Sequence, residues 1–168
     1  MIGNDIVDLA LARKESNWKR KGFLEKIFSA KEQLLISKSE NPENSVWVLW
    51  SMKEAAYKIH NRETGIRGYF PLKLEVLEID YQNNSLRGKI KCENQIYETE
   101  TILSSEYVYT IAVRNSDNFK FLIDIEENRI QKDLFNRPYY FNENLQENIP
   151  VSKTHHGRFQ KIVSLLQT

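Results

Sequence analysis

Leu72-Lys-Leu-Glu-Val76 marks the point where the hydrophobic pattern of this chain changes period. Leu72, Leu74 and Val76 alternate with Lys73 and Glu75, the two-residue repeat of a half-buried strand. Similar runs follow at residues 85–92, 96–103, 107–114 and 119–125, separated by Asn83-Asn84, Asn94 and Ser116-Asp-Asn118, which read as turns of an antiparallel meander. Upstream the punctuation is helical. Phe28-Ser-Ala-Lys-Glu32 has the Ser-x-x-Glu form in which Ser29 caps a helix and Glu32 reaches back, so a helix is expected from there to about Lys38. Pro42 and its flanking Asn residues interrupt it, Asn44 or Ser45 offers a new cap, and a second helix is expected over residues 46–61. Gly65 and Gly68 end the helical region and Pro71 bars its continuation. Helices first and strands afterwards give an α+β fold, helices on one face of an antiparallel sheet.

At 168 residues the chain fits a single domain, 1–168, with residues 128–168 expected as an irregular C-terminal extension ending in a short helix near residues 160–166. Apolar residues make up 40% and charged residues 28%, the balance of a globular chain and not of a disordered or membrane one. No apolar run approaches the roughly 20 residues a membrane span needs, and Asp5 sits where a signal peptide carries positive charge, so a cytoplasmic protein is expected. Cys92 is alone, which rules out an internal disulfide and a cysteine zinc cluster. The net charge of +1 weighs against nucleic acid as partner. Even so, Arg13, Lys14, Lys19, Arg20, Lys21, Lys26, Lys31 and Lys38 outnumber the acids of their segment, which reads either as a solvated helix face or as a surface for an acidic partner.

Three groups of residues carry candidate chemistry. In Gly3-Asn-Asp-Ile-Val-Asp8 an extended backbone places Asp5 and Val7 on one face and Ile6 and Asp8 on the other, so one acid is free to face a site. In Trp50-Ser-Met-Lys-Glu-Ala-Ala-Tyr-Lys58, Glu54 and Lys58 lie one helical turn apart. Alone, that pair reads as an ordinary surface ion pair contributing about 0.2–0.5 kcal/mol. Its setting among Trp47, Trp50 and Tyr57 leaves little purely solvated face and invites a different role. Ser152-Lys-Thr-His-His-Gly-Arg158 gathers imidazoles, cations, hydroxyls and a glycine, donors suited to phosphate, or else forms a basic tail.

Read in order, these segments resemble the 4′-phosphopantetheinyl transferase superfamily, more closely its short holo-acyl-carrier-protein synthase branch with a single repeat of the fold. Residues 3–8 follow the family's Gly-x-Asp-Ile-Val-Glu strand, residues 28–32 its Phe-Ser/Thr-x-x-Glu signature, and residues 50–58 match Trp/Phe-x-x-Lys-Glu-Ala-x-x-Lys at every fixed position. The resemblance implies that Asp5 and Glu54 are ligands of Mg²⁺, that Glu54 and Lys58 act in catalysis, and that Lys53, Lys58 and Gly65 contribute to binding coenzyme A. It implies magnesium-dependent transfer of 4′-phosphopantetheine from coenzyme A to a serine of an acyl or peptidyl carrier protein, with release of 3′,5′-ADP. The basic segment from Arg13 to Lys38 is then the candidate surface for the acidic carrier. Val7 stands where the two-repeat branch carries a third acid, which points to the short branch and, with it, to a homo-oligomer, a trimer. A Ser-x-x-His segment usual in that branch is absent, and Lys153, His155, His156 and Arg158 are the candidates to replace its contact with coenzyme A. A non-catalytic carrier-binding protein on the same fold is the alternative.

Overall fold

A computed structural model describes residues 1–82 and 85–166; the expected turn at Asn83-Asn84 lies outside the described residues. Strand β1 (Ile2–Asp8) runs directly into helix α1 (Leu9–Glu15), and helices α2 (Phe23–Ile27), α3 (Ala30–Lys38) and α4 (Pro42–Thr64) follow. Asp8 makes the first transition by capping α1, its Oδ1 accepting from the Ala10 and Leu11 amides. The expected capping box is present: Ser29 Oγ accepts from the Glu32 amide and the Glu32 carboxylate from the Ser29 amide. Helix α4 is longer than its apolar pattern suggested. Its cap is Asn41 and Pro42 sits in its first turn, where proline's missing N–H costs no hydrogen bond. It ends as expected at Gly65, which takes the left-handed conformation at φ 71°.

Strands β2 (Leu74–Gln82), β3 (Ser85–Cys92), β4 (Gln95–Leu103) and β5 (Tyr107–Val113) form the expected antiparallel meander, and β1 joins its far edge beside β5. The helices lie on one face of this sheet and bury Val7, Val46, Met52, Ile59, Leu74, Ile90, Tyr97 and Val108 in one core. Contact between β1 and α4 is close enough that a Cβ on Gly3 would lie 2.0 Å from the Ala55 carbonyl oxygen. Only glycine permits the strand to lie against the helix backbone at that point.

Beyond residue 115 the structure corrects the sequence reading. Residues 119–125 form a 3₁₀ turn and a short strand β6 (Leu122–Asp124) that leaves the meander. The supposedly irregular stretch 128–168 contains β7 (Gln131–Lys132), β8 (Pro138–Asn142), β9 (Glu147–His156) and β10 (Phe159–Leu165), and the expected terminal helix is this last strand. Among the described residues these form a second antiparallel sheet in the order β6-β10-β9-β8-β7. It closes over the β1 end of the first sheet, where Ile2, Ile6 and Tyr109 bury against Val163.

The junction explains why the strand pattern was hidden. As the edge strand of its sheet, β1 has outward N–H groups at Asn4, Ile6 and Asp8, and an unpaired buried N–H is costly. Ser152 Oγ, Thr154 Oγ1 and His156 Nδ1 accept them at 2.9, 3.2 and 2.8 Å. The polar residues at every second position of β9 therefore serve as the neighbouring strand's hydrogen-bond partners, and no apolar alternation marks the strand in the sequence.

Candidate active site

The contact between β1 and α4 builds the site. Ser51, Ala55 and Lys58 are spaced i, i+4, i+7 along the helix face that meets the strand. Ser51 Oγ donates to the Asp5 carbonyl oxygen at 3.3 Å, Ala55 lies against Gly3, and Lys58 Nζ donates to the Asn4 carbonyl oxygen. The strand side chain that faces this stripe is Asp5. Its Oδ1 lies 3.6 Å from Lys58 Nζ and accepts from Thr154 Oγ1 at 3.3 Å. Its Oδ2 is buried with no hydrogen-bond partner in the protein.

Glu54 belongs to the same group. Burial, and next the negative charge of Asp5, push its carboxyl up to about 7, while Lys58 acts in the opposite direction. Burial likewise raises Asp5 despite Lys58 beside it. Two buried carboxyls, one raised by the charge of the other and the other with an orphaned oxygen, form an incomplete electrostatic arrangement that a hard cation would complete. Among the described residues no third His, Cys, Asp or Glu joins them. This suits Mg²⁺, which takes one or two protein carboxylates and leaves its other positions to phosphate and water. Asp5 and Glu54 fit that ion.

Tyr69 also belongs here, and its position gave no sign of it. Its ring packs on Trp50 and Tyr57 at centroid distances of 5.6 and 5.3 Å. Its buried hydroxyl has no partner, and burial together with the charges of Glu54 and Asp5 holds the phenol strongly protonated. It is a fixed donor beside the carboxyl pair. It directly follows Gly68, one of the two glycines that end the helical region.

Other expected site residues fall elsewhere. Lys53 is fully buried and faces away from the pair; Nζ donates to Glu32 Oε2 at 2.6 Å and to the Ile27 and Pro71 carbonyl oxygens at 2.9 and 3.0 Å, which uses all three of its protons. Glu32 in turn accepts from the Ser29 and Val76 amides. The Lys53–Glu32 pair thus ties α4 to α3 and β2, and Lys53 has no donor left for an external ligand. Gly65 is the helix terminus. His156 accepts from the Asp8 amide, and Arg158 is engaged by Asp8 and Glu106. His155 is exposed on the opposite face of β9, and Lys153 pairs with Glu127. The structure therefore brings Asp5, Glu54 and Lys58 together and leaves His155, His156 and Arg158 outside that group.

A carboxyl pair with one lysine, set on an α+β scaffold between its first strand and its longest helix, has the charges that suit a hard cation and phosphate. The family model described as 4′-phosphopantetheinyl transferase superfamily matches residues 1–112. The chain is 32% identical over 119 residues to a holo-[acyl-carrier-protein] synthase of Caldanaerobacter subterraneus subsp. tengcongensis, covering 67% of this chain and 91% of that protein. The fold is similar to that of Helicobacter pylori holo-[acyl-carrier-protein] synthase solved in complex with coenzyme A, with TM-score 0.52 and 20% identity over 68% of this chain and all of the other. It is also similar to the apo-ACPS structure from Chronobacterium ammoiniagenes, with TM-score 0.51 and 15% identity over 67% of this chain and 93% of the other. The chain belongs to the 4′-phosphopantetheinyl transferase superfamily, as an enzyme of the holo-acyl-carrier-protein synthase type. The family match stops at residue 112, so strands β6 to β10 lie beyond it.

Proposed function

We propose that this enzyme moves 4′-phosphopantetheine from coenzyme A to a serine of an acyl or peptidyl carrier protein, releases 3′,5′-ADP, and depends on Mg²⁺ held by Asp5 and Glu54. The observation that carries the metal assignment is the buried, unpartnered Oδ2 of Asp5 beside a second carboxyl raised to about 7. Bound there, the cation would neutralise charge on the diphosphate.

The serine oxygen forms a bond to the β-phosphorus of coenzyme A as the bond from that phosphorus to the bridging oxygen breaks, and the departing oxygen leaves on 3′,5′-ADP. The serine proton goes to Glu54, directly or through a water. Lys58 is anchored by the Asn4 carbonyl oxygen and Asp5, which fixes its ammonium for the phosphoryl oxygens as charge builds. Tyr69 supplies a neutral donor that cannot lose its proton in the working pH range. The carrier, an acidic protein in this reading, docks on the basic surface from Arg13 to Lys38, where Lys19 and Arg20 lie over the rings of Trp18 and Phe23.

The direct test is a mass spectrum of apo-acyl carrier protein incubated with the enzyme, coenzyme A and Mg²⁺. One added phosphopantetheine, abolished by Glu54→Ala and by chelating the metal, supports the proposal. Unmodified carrier across several apo-carriers of lipid and peptide synthesis would sink it.

A further inference from the structure

A pocket of about 530 Å³ opens where α4 meets the second sheet. Lys58 forms part of its wall, so it adjoins the carboxyl pair directly. Arg62, Arg67, Arg137 and Lys153 line it as well, and no carboxylate does. Arg62 spans the junction, donating to the carbonyl oxygens of Val151 at 2.8 Å and Pro138 at 3.4 Å. Burial, and next the nearby charge of Arg137, make its protonated form less favourable than usual, while Asp133 acts in the opposite direction. Arg137 donates its backbone amide and its Nε to Asp133, at 2.9 and 2.7 Å, and its guanidinium lies 4.9 Å from the centroid of the exposed Phe135 ring on the pocket lip. Among the described residues Arg67 has no ion-pair partner.

We propose that this pocket holds the 3′-phosphate end of coenzyme A, with Arg67 and Arg137 as its phosphate donors and Phe135 as the surface on which the adenine stacks. The inference rests on the transfer reaction proposed above. Continuity carries it: Lys58 serves the reacting diphosphate on one side and bounds the pocket on the other, so the rest of the nucleotide lies along a wall rich in guanidinium groups. Guanidinium forks suit a terminal phosphate, and an exposed aromatic beside an arginine suits a base. Phe135, Arg137 and Lys153 belong to the part of the chain beyond the family match, so β9 and the connection from β7 to β8 supply one side of the nucleotide site from the same chain. This relocates the phosphate contact from the His156 and Arg158 end of β9 to its Lys153 end.

The experiment compares the KM for coenzyme A with that for dephospho-coenzyme A, which lacks the 3′-phosphate, and measures 3′,5′-ADP binding by calorimetry. The wild-type enzyme is expected to favour coenzyme A at least tenfold, the factor that about 1.4 kcal/mol of charge-assisted bonding gives. In the double variant Arg67→Ala, Arg137→Ala that preference should fall below about threefold, with the KM for dephospho-coenzyme A unchanged. Arg67→Lys with Arg137→Lys should retain part of it. Phe135→Ala should weaken both substrates alike. No preference in the wild type, or a preference that survives the double alanine variant, overturns the pocket assignment while leaving the transfer reaction standing. Absence of transfer with every carrier, together with 3′,5′-ADP binding that still requires Arg67 and Arg137, would fail the reaction and keep the pocket.

Discussion

Replacing Glu54 by Gln should abolish transfer and yet stabilise the metal-free protein at alkaline pH. A carboxyl that titrates near 4.5 in the unfolded chain and at about 7 in the fold binds its proton more tightly when folded. At ~1.4 kcal/mol per tenfold, that difference is worth about 3 kcal/mol at most. Because the folded value is the raised one, the stability contributed by the protonated group is fully present below pH 4.5 and is lost as pH rises through 7. Linkage places about 2.5 kcal/mol of that loss between pH 5 and pH 8. Glutamine carries no charge to desolvate and none to repel Asp5, so the variant escapes the loss. In urea denaturation with a chelator present, Glu54→Gln should gain about 2 kcal/mol on the wild type between the two pH values, a melting shift of several degrees for a chain of this size. Mg²⁺ should reverse the order at pH 8 by stabilising the wild type alone. A difference between the two proteins that does not change with pH would show that Glu54 is not held in a buried, like-charged site.

Gly3→Ala should destabilise the protein by about 1–3 kcal/mol and lower kcat together with stability, because the new methyl meets the Ala55 carbonyl oxygen and forces apart the two elements that carry Asp5 and Glu54; denaturation and kinetics on the same sample check both. Lys53→Met leaves the Glu32 carboxylate buried without its cation and should cost about 3–5 kcal/mol in urea unfolding. Had Lys53 been a ligand for coenzyme A, its removal would instead raise KM at unchanged stability. Tyr69→Phe deletes a buried hydroxyl with no partner and should leave stability unchanged or improved while slowing transfer, readable as a fall in kcat at constant melting temperature.

Much of the site is local enough to be written along the chain. The Ser29 cap, the Gly65 terminus and the spacing of Glu54 and Lys58 each depend on residues within one or two helical turns, and the alternation from Leu72 onward depends on neighbours within one strand. The residue types also limited the chemistry, since two acids and a lysine with no cysteine cluster suit a hard cation and phosphate. What the chain could not show is which of several chemically similar residues end up together. Lys53 and Lys58 are both lysines of one helix, but their positions place one ammonium among Glu32, Ile27 and Pro71 and the other beside Asp5. Ser152, Thr154 and His156 looked like a phosphate loop because the edge they seal belongs to a strand about 148 residues earlier. Tyr69 and Arg137 carried no local mark: the Tyr69 ring takes its setting from Trp50 and Tyr57 of α4, and Arg137 from the pocket it lines with α4 and β9. Local periodicity and caps thus determined α3, α4 and the meander, and the resemblance of ordered motifs to a family singled out the acidic pair; the close approach of β1 to α4 and the closure of the second sheet over the β1 edge, both long-range contacts, decided which side chains are free to meet a substrate.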